Sequence, residues 1–260
     1  MTVTTEEKMM LAENPGTPVH VLMELAKDED FCVRSQVAWN ENLPGEVICA
    51  LKDDPCLYRV LENRLAEGLT LPDPVKEALS SSCEPFIKRA VAYDPSCTSV
   101  ILEALSYDVS DHVRIAVASH KRTPPQVLER LSKDAEEIVR RKVARNPSTP
   151  LATLLALSND TKVMVRRVVA ENERLPPDIL ASLASDEEGY VRYCVAGNPR
   201  TPPEALATLA KDYFYEVRVN VARNPSTPLD LLESLAEDEL DMVRNRAREA
   251  LVARDERRST

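Results

Sequence analysis

The sequence predicts an all-α fold: a right-handed helical solenoid of about nine repeats, 26 residues long over most of the chain. Three observations predict it. A phrase ending in proline recurs at fixed spacing, the columns after that proline repeat with it, and five glycines stand against nineteen prolines. Hairpins usually need glycine at positive φ, so this composition favours many short helices with rigid starts. A hydrophobic content of 43% beside 29% charged residues is enough to build a core.

The repeated phrase is "ARNPSTPL" at 144–151 and again at 222–229, with variants such as "ENPGTPV" and "GNPRTPP". Its anchor prolines are Pro18, Pro44, Pro72, Pro124, Pro150, Pro176, Pro202 and Pro228, and Thr98 fills the gap between Pro72 and Pro124. One interval, from Pro44 to Pro72, is 28 residues. Such a period marks a repeat architecture. Counting from the anchor, offset 7 is leucine in every unit. Offset 10 is Asp except at Ser82, and offset 16 is Arg except at Val60 and Lys88.

Each unit reads as two helices of about eight residues. Thr17, Thr123, Thr149, Thr201 and Thr227 are placed to cap the first helix, with the following proline at its first position, and Thr201 with Glu204 matches a capping box. Leucines at offsets 4 and 7 form an apolar stripe. The second helix buries Val and Ala at offsets 15, 19 and 20 and ends at Asn-Pro, because the residue before proline avoids the α region. Helices this short hold only by stacking on neighbouring units. Residues 6–15 match the second half of a unit, with Lys8 in the arginine column, and read as a cap. The expected organisation is one domain over residues 1–260: a cap to residue 15, repeats over 16–247, and a polar cap and tail over 248–260.

Leu206 to Pro228 follows the pattern L-x-x-L-A-x-D-x-x-x-x-V-R-x-x-V-A-x-N-P-x-T-P. These columns resemble the leucine-rich repeat variant family over nearly the whole chain. The resemblance implies alternating α-helices and short, partly 3-10 helices without a sheet. The best-known member of that family also carries an N-terminal cysteine cluster holding a four-iron, four-sulfur centre. Here the first cysteine, Cys32, already lies inside a repeat, so the cluster is not carried over. The Asp-to-Arg spacing of six also resembles HEAT repeats, where the two residues form ladders between units.

The Arg and Asp columns are therefore expected to be architectural, a bidentate ion ladder that fixes register. Cys32, Cys56 and Cys83 occupy neighbouring loops of three consecutive repeats and are the only candidate metal or redox ligands; no C-x-x-C pair supports them. His20, His112 and His120 are scattered. No nucleophile motif or glycine-rich phosphate loop occurs, so no enzyme activity and no cofactor are expected. No apolar run reaches the roughly 20 residues of a membrane span, and no signal-peptide core opens the chain; the expected compartment is the cytoplasm.

Charge is segregated within the units. From Thr98 onward the first halves of the repeats sum to −13 and the second halves to +9, inside a formal net charge of −10. A helical wheel places offsets 17 and 21 of the second helix outward. Those positions include Trp39, Arg89, Tyr93, Arg141, Arg145, Arg167, Tyr193 and Arg223, and also Leu61, Leu65 and Ile115. Arg, Trp and Tyr typically anchor interfaces. The second helices, taken as the smaller elements, are expected to line an inner curve. The function expected first is a non-catalytic scaffold that binds an acidic or extended polypeptide on this face. A nucleic-acid-binding solenoid is the second reading, disfavoured by the net charge; a metal or iron–sulfur redox protein is the third.

Overall fold

The computed structural model describes residues 3–68 and 70–258, with side chains through residue 256. The chain divides into two compact units, residues 1–131 and 132–260. Unit 1 holds α1 (Thr5–Glu13), α2 (Val19–Leu25), α3 (Phe31–Ala38), α4 (Gly45–Ala50), α5 (Cys56–Ala66), α6 (Asp73–Ser80), α7 (Pro85–Tyr93), α8 (Ser99–Leu105), α9 (Asp111–Ser119) and α10 (Pro125–Leu131). Unit 2 holds α11 (Glu137–Arg145), α12 (Leu151–Leu157), α13 (Val163–Ala170), α14 (Pro177–Leu183), α15 (Gly189–Gly197), α16 (Pro203–Leu209), α17 (Tyr215–Arg223), α18 (Leu229–Leu235) and α19 (Asp241–Arg258). There is no strand among the described residues. Odd-numbered helices are the second helices of the repeats, and α1 is the expected half-repeat.

Within each unit the helices stack like on like. Second helices pack on second helices, as α1 on α3, α7 on α9, α11 on α13 and α15 on α17; first helices do the same, as α2 on α4 and α14 on α16. The core lies between the two layers. Every offset-7 leucine from Leu25 to Leu235 is buried, as are Val33, Val37, Val139, Val143, Val217 and Val221 of the second helices. Burying each such side chain contributes roughly 1.5–3 kcal/mol. The first helices run six to eight residues and the second helices eight or more. The second helices are therefore the larger elements, and the size argument for an inner curve fails. Bonds of 3-10 type close the short first helices at both ends, from Val21 N–H to Pro18 O and from Lys27 N–H to Glu24 O, each 3.0 Å.

The threonines do a different job from the one their spacing suggests. The first helices begin one residue later than expected, with the anchor prolines Pro18, Pro150, Pro202 and Pro228 at the N-cap and no side-chain cap bond. Each preceding threonine is buried and reaches backwards. Thr149 Oγ1 donates to Val143 O at 2.6 Å, Thr201 to Val195 O at 2.5 Å and Thr227 to Val221 O at 2.6 Å. Thr17 and Thr123 do the same with Leu11 O and Val117 O. The hydroxyl satisfies a carbonyl left over at the end of the second helix. Thr98, which stands in place of an anchor proline, caps α8 with its side chain, accepting from Ile101 N–H at 3.4 Å. The capping box belongs to α1, where Thr4 and Glu7 exchange bonds at 2.8 and 3.3 Å.

Two ladders hold the register. In the first, an arginine or lysine grips the aspartate of the next repeat: Lys8–Asp28, Arg34–Asp54 and Lys88–Asp108 in unit 1, and Arg140–Asp160, Arg166–Asp186, Arg192–Asp212 and Arg218–Asp238 in unit 2. Arg166 shows the full pattern. Its Nε and Nη2 donate to Asp186 Oδ2 and Oδ1 at 2.7 and 2.9 Å, and its Nη1 donates to Asp160 O at 2.9 Å. Asp186 Oδ1 also accepts from Glu188 N–H at 2.9 Å. Partial burial raises the Asp160 and Asp186 carboxyls, but the guanidiniums outweigh it and hold both below the ordinary value of 3.8.

The two breaks in this ladder are partners of each other. Val60 stands in the arginine column of one repeat and Ser82 in the aspartate column of the next, so one rung loses both charges together. Ser82 keeps the local half of the aspartate's role, accepting from Glu84 N–H at 3.0 Å, and donates to Lys52 O. The two additional residues of this repeat lengthen α5 to 11 residues, and Gly68 beyond it turns the chain at φ 79, a conformation that favours glycine.

The second ladder was not read from the sequence. Asn224 Nδ2 donates to Ala196 O and Asn198 O of the previous repeat, at 2.7 and 2.8 Å, and its Oδ1 accepts from Ser226 N–H at 2.8 Å. Asn198 and Asn40 bind the same way. The asparagines Asn40, Asn198 and Asn224 that follow the second helices are thus brackets between repeats as well as helix stops. Asp94 and His120 replace it in two rungs. His120 Nδ1 accepts from Arg122 N–H at 3.1 Å, so Nε2 carries the proton that meets Asp94 O at 3.0 Å.

Candidate interaction surface

The ladders and the core use nearly every residue of the repeat consensus. What remains for function is the solvent side of the second helices. That side is narrower than an isolated helical wheel suggests. Leu61 and Val219 at offset 17 are buried, and Arg89, Ile115 and Arg141 are half-buried. A helix within a layer has neighbours on both flanks as well as below, so offset 17 falls into the groove between second helices. Offset 21 is the more open position, together with offset 14 at the helix start.

In unit 1, Trp39 at the end of α3 and Tyr93 at the end of α7 are 46% and 49% exposed. Trp39 lines a shallow cavity of about 390 Å³ with Glu41, Val60, Asn63, Arg64 and Glu67. Arg89 is already committed. Its Nη2 donates to Tyr58 Oη and meets Glu62 at 3.2 Å, and its guanidinium lies 5.2 and 5.5 Å from the Tyr58 and Phe86 rings.

In unit 2, Tyr193 is 38% exposed. Arg145 and Arg167 both turn to Glu171, at 3.4 and 3.3 Å. Arg141 and Arg223 form no ion pair among the described residues, and the buried Nε of Arg141 has no hydrogen-bond partner. Arg223 lines a cavity of about 360 Å³ with Arg246, Glu249 and Arg254, and Arg145 one of about 330 Å³ with Glu171 and Arg174. Tyr193 lines a third, of about 350 Å³, with Arg167, Gly189, Tyr190, Phe214, Glu216 and Val217. Of these, only Arg167 and Tyr193 were singled out from the sequence. The crowding of Tyr190, Tyr193, Tyr213, Phe214 and Tyr215 into 26 residues of a chain with eleven aromatics was a readable signal that the repeat columns obscured.

The candidate metal ligands are not brought into a site. Cys32 and Cys83 are exposed and Cys56 is buried, and no group of three or more His, Cys, Asp or Glu side chains among the described residues is placed to hold a metal ion. Burial pushes the Cys56 thiol up to about 12 and the Cys97 and Cys194 thiols to about 11; the bond to Asp53 raises Cys83. None of these four is activated as a thiolate. Among the described residues, no helix is long and apolar enough to cross a membrane.

Stacked two-helix repeats joined by ion and asparagine ladders define a helical repeat protein. Residues 193–251 match the model of the Leucine Rich Repeat Variant domain, and residues 111–136 and 139–161 match the Leucine rich repeat variant model. A solved structure described as a leucine-rich repeat variant with a novel repetitive protein structural motif aligns over 86% of this chain and 88% of its own, at 24% identity and a TM-score of 0.64. These matches support a helical repeat protein of the leucine-rich repeat variant type. An engineered protein aligns over 95% of this chain and 93% of its own at 17% identity, with a TM-score of 0.40. A designed armadillo repeat protein aligns over 89% and 98% at 12% identity, with a TM-score of 0.26. No curated protein matches the chain.

Proposed function

We propose that this protein is a non-catalytic interaction scaffold that holds an extended polypeptide against the solvent side of its second helices. One observation carries the reading. In a molecule whose consensus residues are spent on core and register, Trp39, Tyr93 and Tyr193 stand exposed on the second helices with no architectural task. Large aromatic side chains in water cost free energy that a partner recovers on binding. Charge supports an acidic stretch along the second helices of unit 2, where Arg145 and Arg167 share Glu171 and Arg141 and Arg223 form no ion pair among the described residues. Nucleic acid is the weaker reading. Of the basic halves' cations, the column arginines Arg140, Arg166, Arg192 and Arg218 are neutralised by ladder aspartates, and the net charge is −10.

The test is a pull-down from source lysate comparing the natural sequence with Arg141→Glu, Arg145→Glu and Arg223→Glu combined. Loss of a specific protein partner at unchanged melting temperature is expected. An unchanged set of partners contradicts the acidic-stretch reading.

A further inference from the structure

The starts of α15 and α17 carry a feature that the arginines do not explain. Gly189 is buried at the first position of α15, and a Cβ there would lie 2.4 and 2.5 Å from Cε2 and Cδ2 of Phe214. The equivalent position in the other repeats holds Phe, Leu, Pro, Asp, Glu, Val or Tyr, and glycine occurs only here. Glycine lets the Phe214 ring close against the α15 backbone. The resulting pocket of about 350 Å³ has walls formed chiefly by Tyr190, Tyr193, Phe214 and Val217. The ladder guanidinium of Arg192 lies 5.9 Å from the Phe214 ring, whereas Tyr190 and Tyr193 stack on no ladder arginine among the described residues, and Tyr190 is 72% exposed.

The charge around the pocket has a sign. Arg166 is satisfied bidentately by Asp186, so Glu187, 3.6 Å from it, remains an excess negative charge. Glu188 and Glu216 form no ion pair among the described residues. Arg167 lines the pocket and shares Glu171 with Arg145, at 3.3 and 3.4 Å, so part of its charge is left over. Each helix N-terminus contributes about half a positive charge, so three carboxylates against two helix starts and the partly neutralised Arg167 leave the balance negative. The faces of the aromatic rings add further negative potential.

We propose that this pocket receives a lysine or arginine side chain from a basic segment of the bound polypeptide. The alkyl stem packs on the rings and Val217, and the cationic head meets the ring faces and the Glu216 and Glu188 carboxylates. The proposal rests on the interaction-scaffold reading and deepens it. The second helices of unit 2 then select opposite charges at their two ends: acidic groups near Arg145 and Arg223, a basic group at the aromatic pocket.

The test is fluorescence anisotropy of the whole protein with labelled Gly-Ser peptides carrying lysine, glutamate or leucine at alternate positions. The lysine peptide is expected to bind roughly tenfold tighter than the other two, a difference within reach of a desolvated cation–π contact assisted by carboxylates. Glu216→Gln and Phe214→Ala each weaken it several-fold, and Gly189→Ala, which displaces the Phe214 ring, does the same. Glu204→Gln, exposed on α16, leaves it unchanged. Glu216 is exposed, so its substitution leaves the fold intact and the comparison interpretable. Tighter binding of the glutamate peptide, which would mean that Arg167 and the helix starts dominate, overturns the proposal. So does no binding of any peptide, or a lysine affinity indifferent to Glu216→Gln and Phe214→Ala. None of these outcomes touches the lysate experiment, whose arginine variants lie away from the pocket, so the scaffold reading stands or falls separately.

Discussion

At the residue scale, the rung is the unit of explanation. Arg166 makes three hydrogen bonds and answers one carboxylate, all with its side chain about 10% exposed. A half-buried charge that loses its partner is costly, whereas a rung emptied on both sides is not. The protein already contains such an emptied rung at Val60 and Ser82. The expected result of a double-mutant cycle in unit 2 follows. Arg166→Val alone costs roughly 2–4 kcal/mol, Asp186→Ser alone a comparable amount, and the two together much less than their sum. Urea unfolding followed by circular dichroism measures it. Additive losses would show that the rung does not act as a pair.

The periodic rungs were legible in the sequence because each column appears many times. Residues whose chemistry serves two neighbouring elements were not. A threonine before proline suits either the start of one helix or the end of the previous one, and only the buried bonds from Thr149, Thr201 and Thr227 choose the end. The same holds for the asparagines, visible as helix stops but not as brackets. Gly189 and Phe214 lie 25 residues apart and break the repeat pattern, so the pocket they make had no column to announce it.

At the element scale, the second helices carry both the tight stacking and the exposed face. The wheel placed Trp39 and Tyr93 in solvent correctly and failed for Leu61, because it treats a helix in a layer as though it had no flanking neighbours. How a second helix ends is equally informative. His120 follows α9 at its C-cap and stands in the asparagine ladder. Burial, with the nearby Arg122 charge, lowers its pKa below 6.5 against the weaker upward pull of Asp94. A histidine with a depressed folded pKa stabilises only while neutral: the contribution is complete above about pH 6.5 and is lost as pH falls below that value. Protonation also turns Nδ1 from acceptor into a second donor facing Arg122 N–H. The ladder aspartates titrate lower still, since their pKa values lie below 3.8. Stability of unit 1, reported by its sole tryptophan Trp39, is expected to decline from pH 6.5 toward 5. His120→Asn, which restores the consensus bracket, removes that decline. An identical pH profile in the variant would show that His120 is not responsible.

At the scale of the whole chain, repeats make surface as readily as they make core. Each unit added to a stack supplies another second-helix face, and nothing in the ladders constrains what that face displays. This freedom is visible in the contrast between units. Unit 1 spends its Arg89 on Tyr58, Phe86 and Glu62, whereas unit 2 leaves Arg141 and Arg223 without ion pairs among the described residues and opens an aromatic pocket beside Tyr193. The leucine-rich repeat variant units account for the fold, and the non-consensus residues account for the proposed binding.

Site-specific photo-crosslinking tests the central claim most directly. A benzophenone amino acid is placed singly at Trp39, Tyr93 and Tyr193 on the second helices, and at exposed Val100 on α8 and Leu151 on α12 of the first helices. On irradiation in source lysate, the second-helix positions are expected to yield a common protein adduct and the first-helix positions none. Adducts confined to Val100 and Leu151, or spread equally over all five positions, would contradict the account.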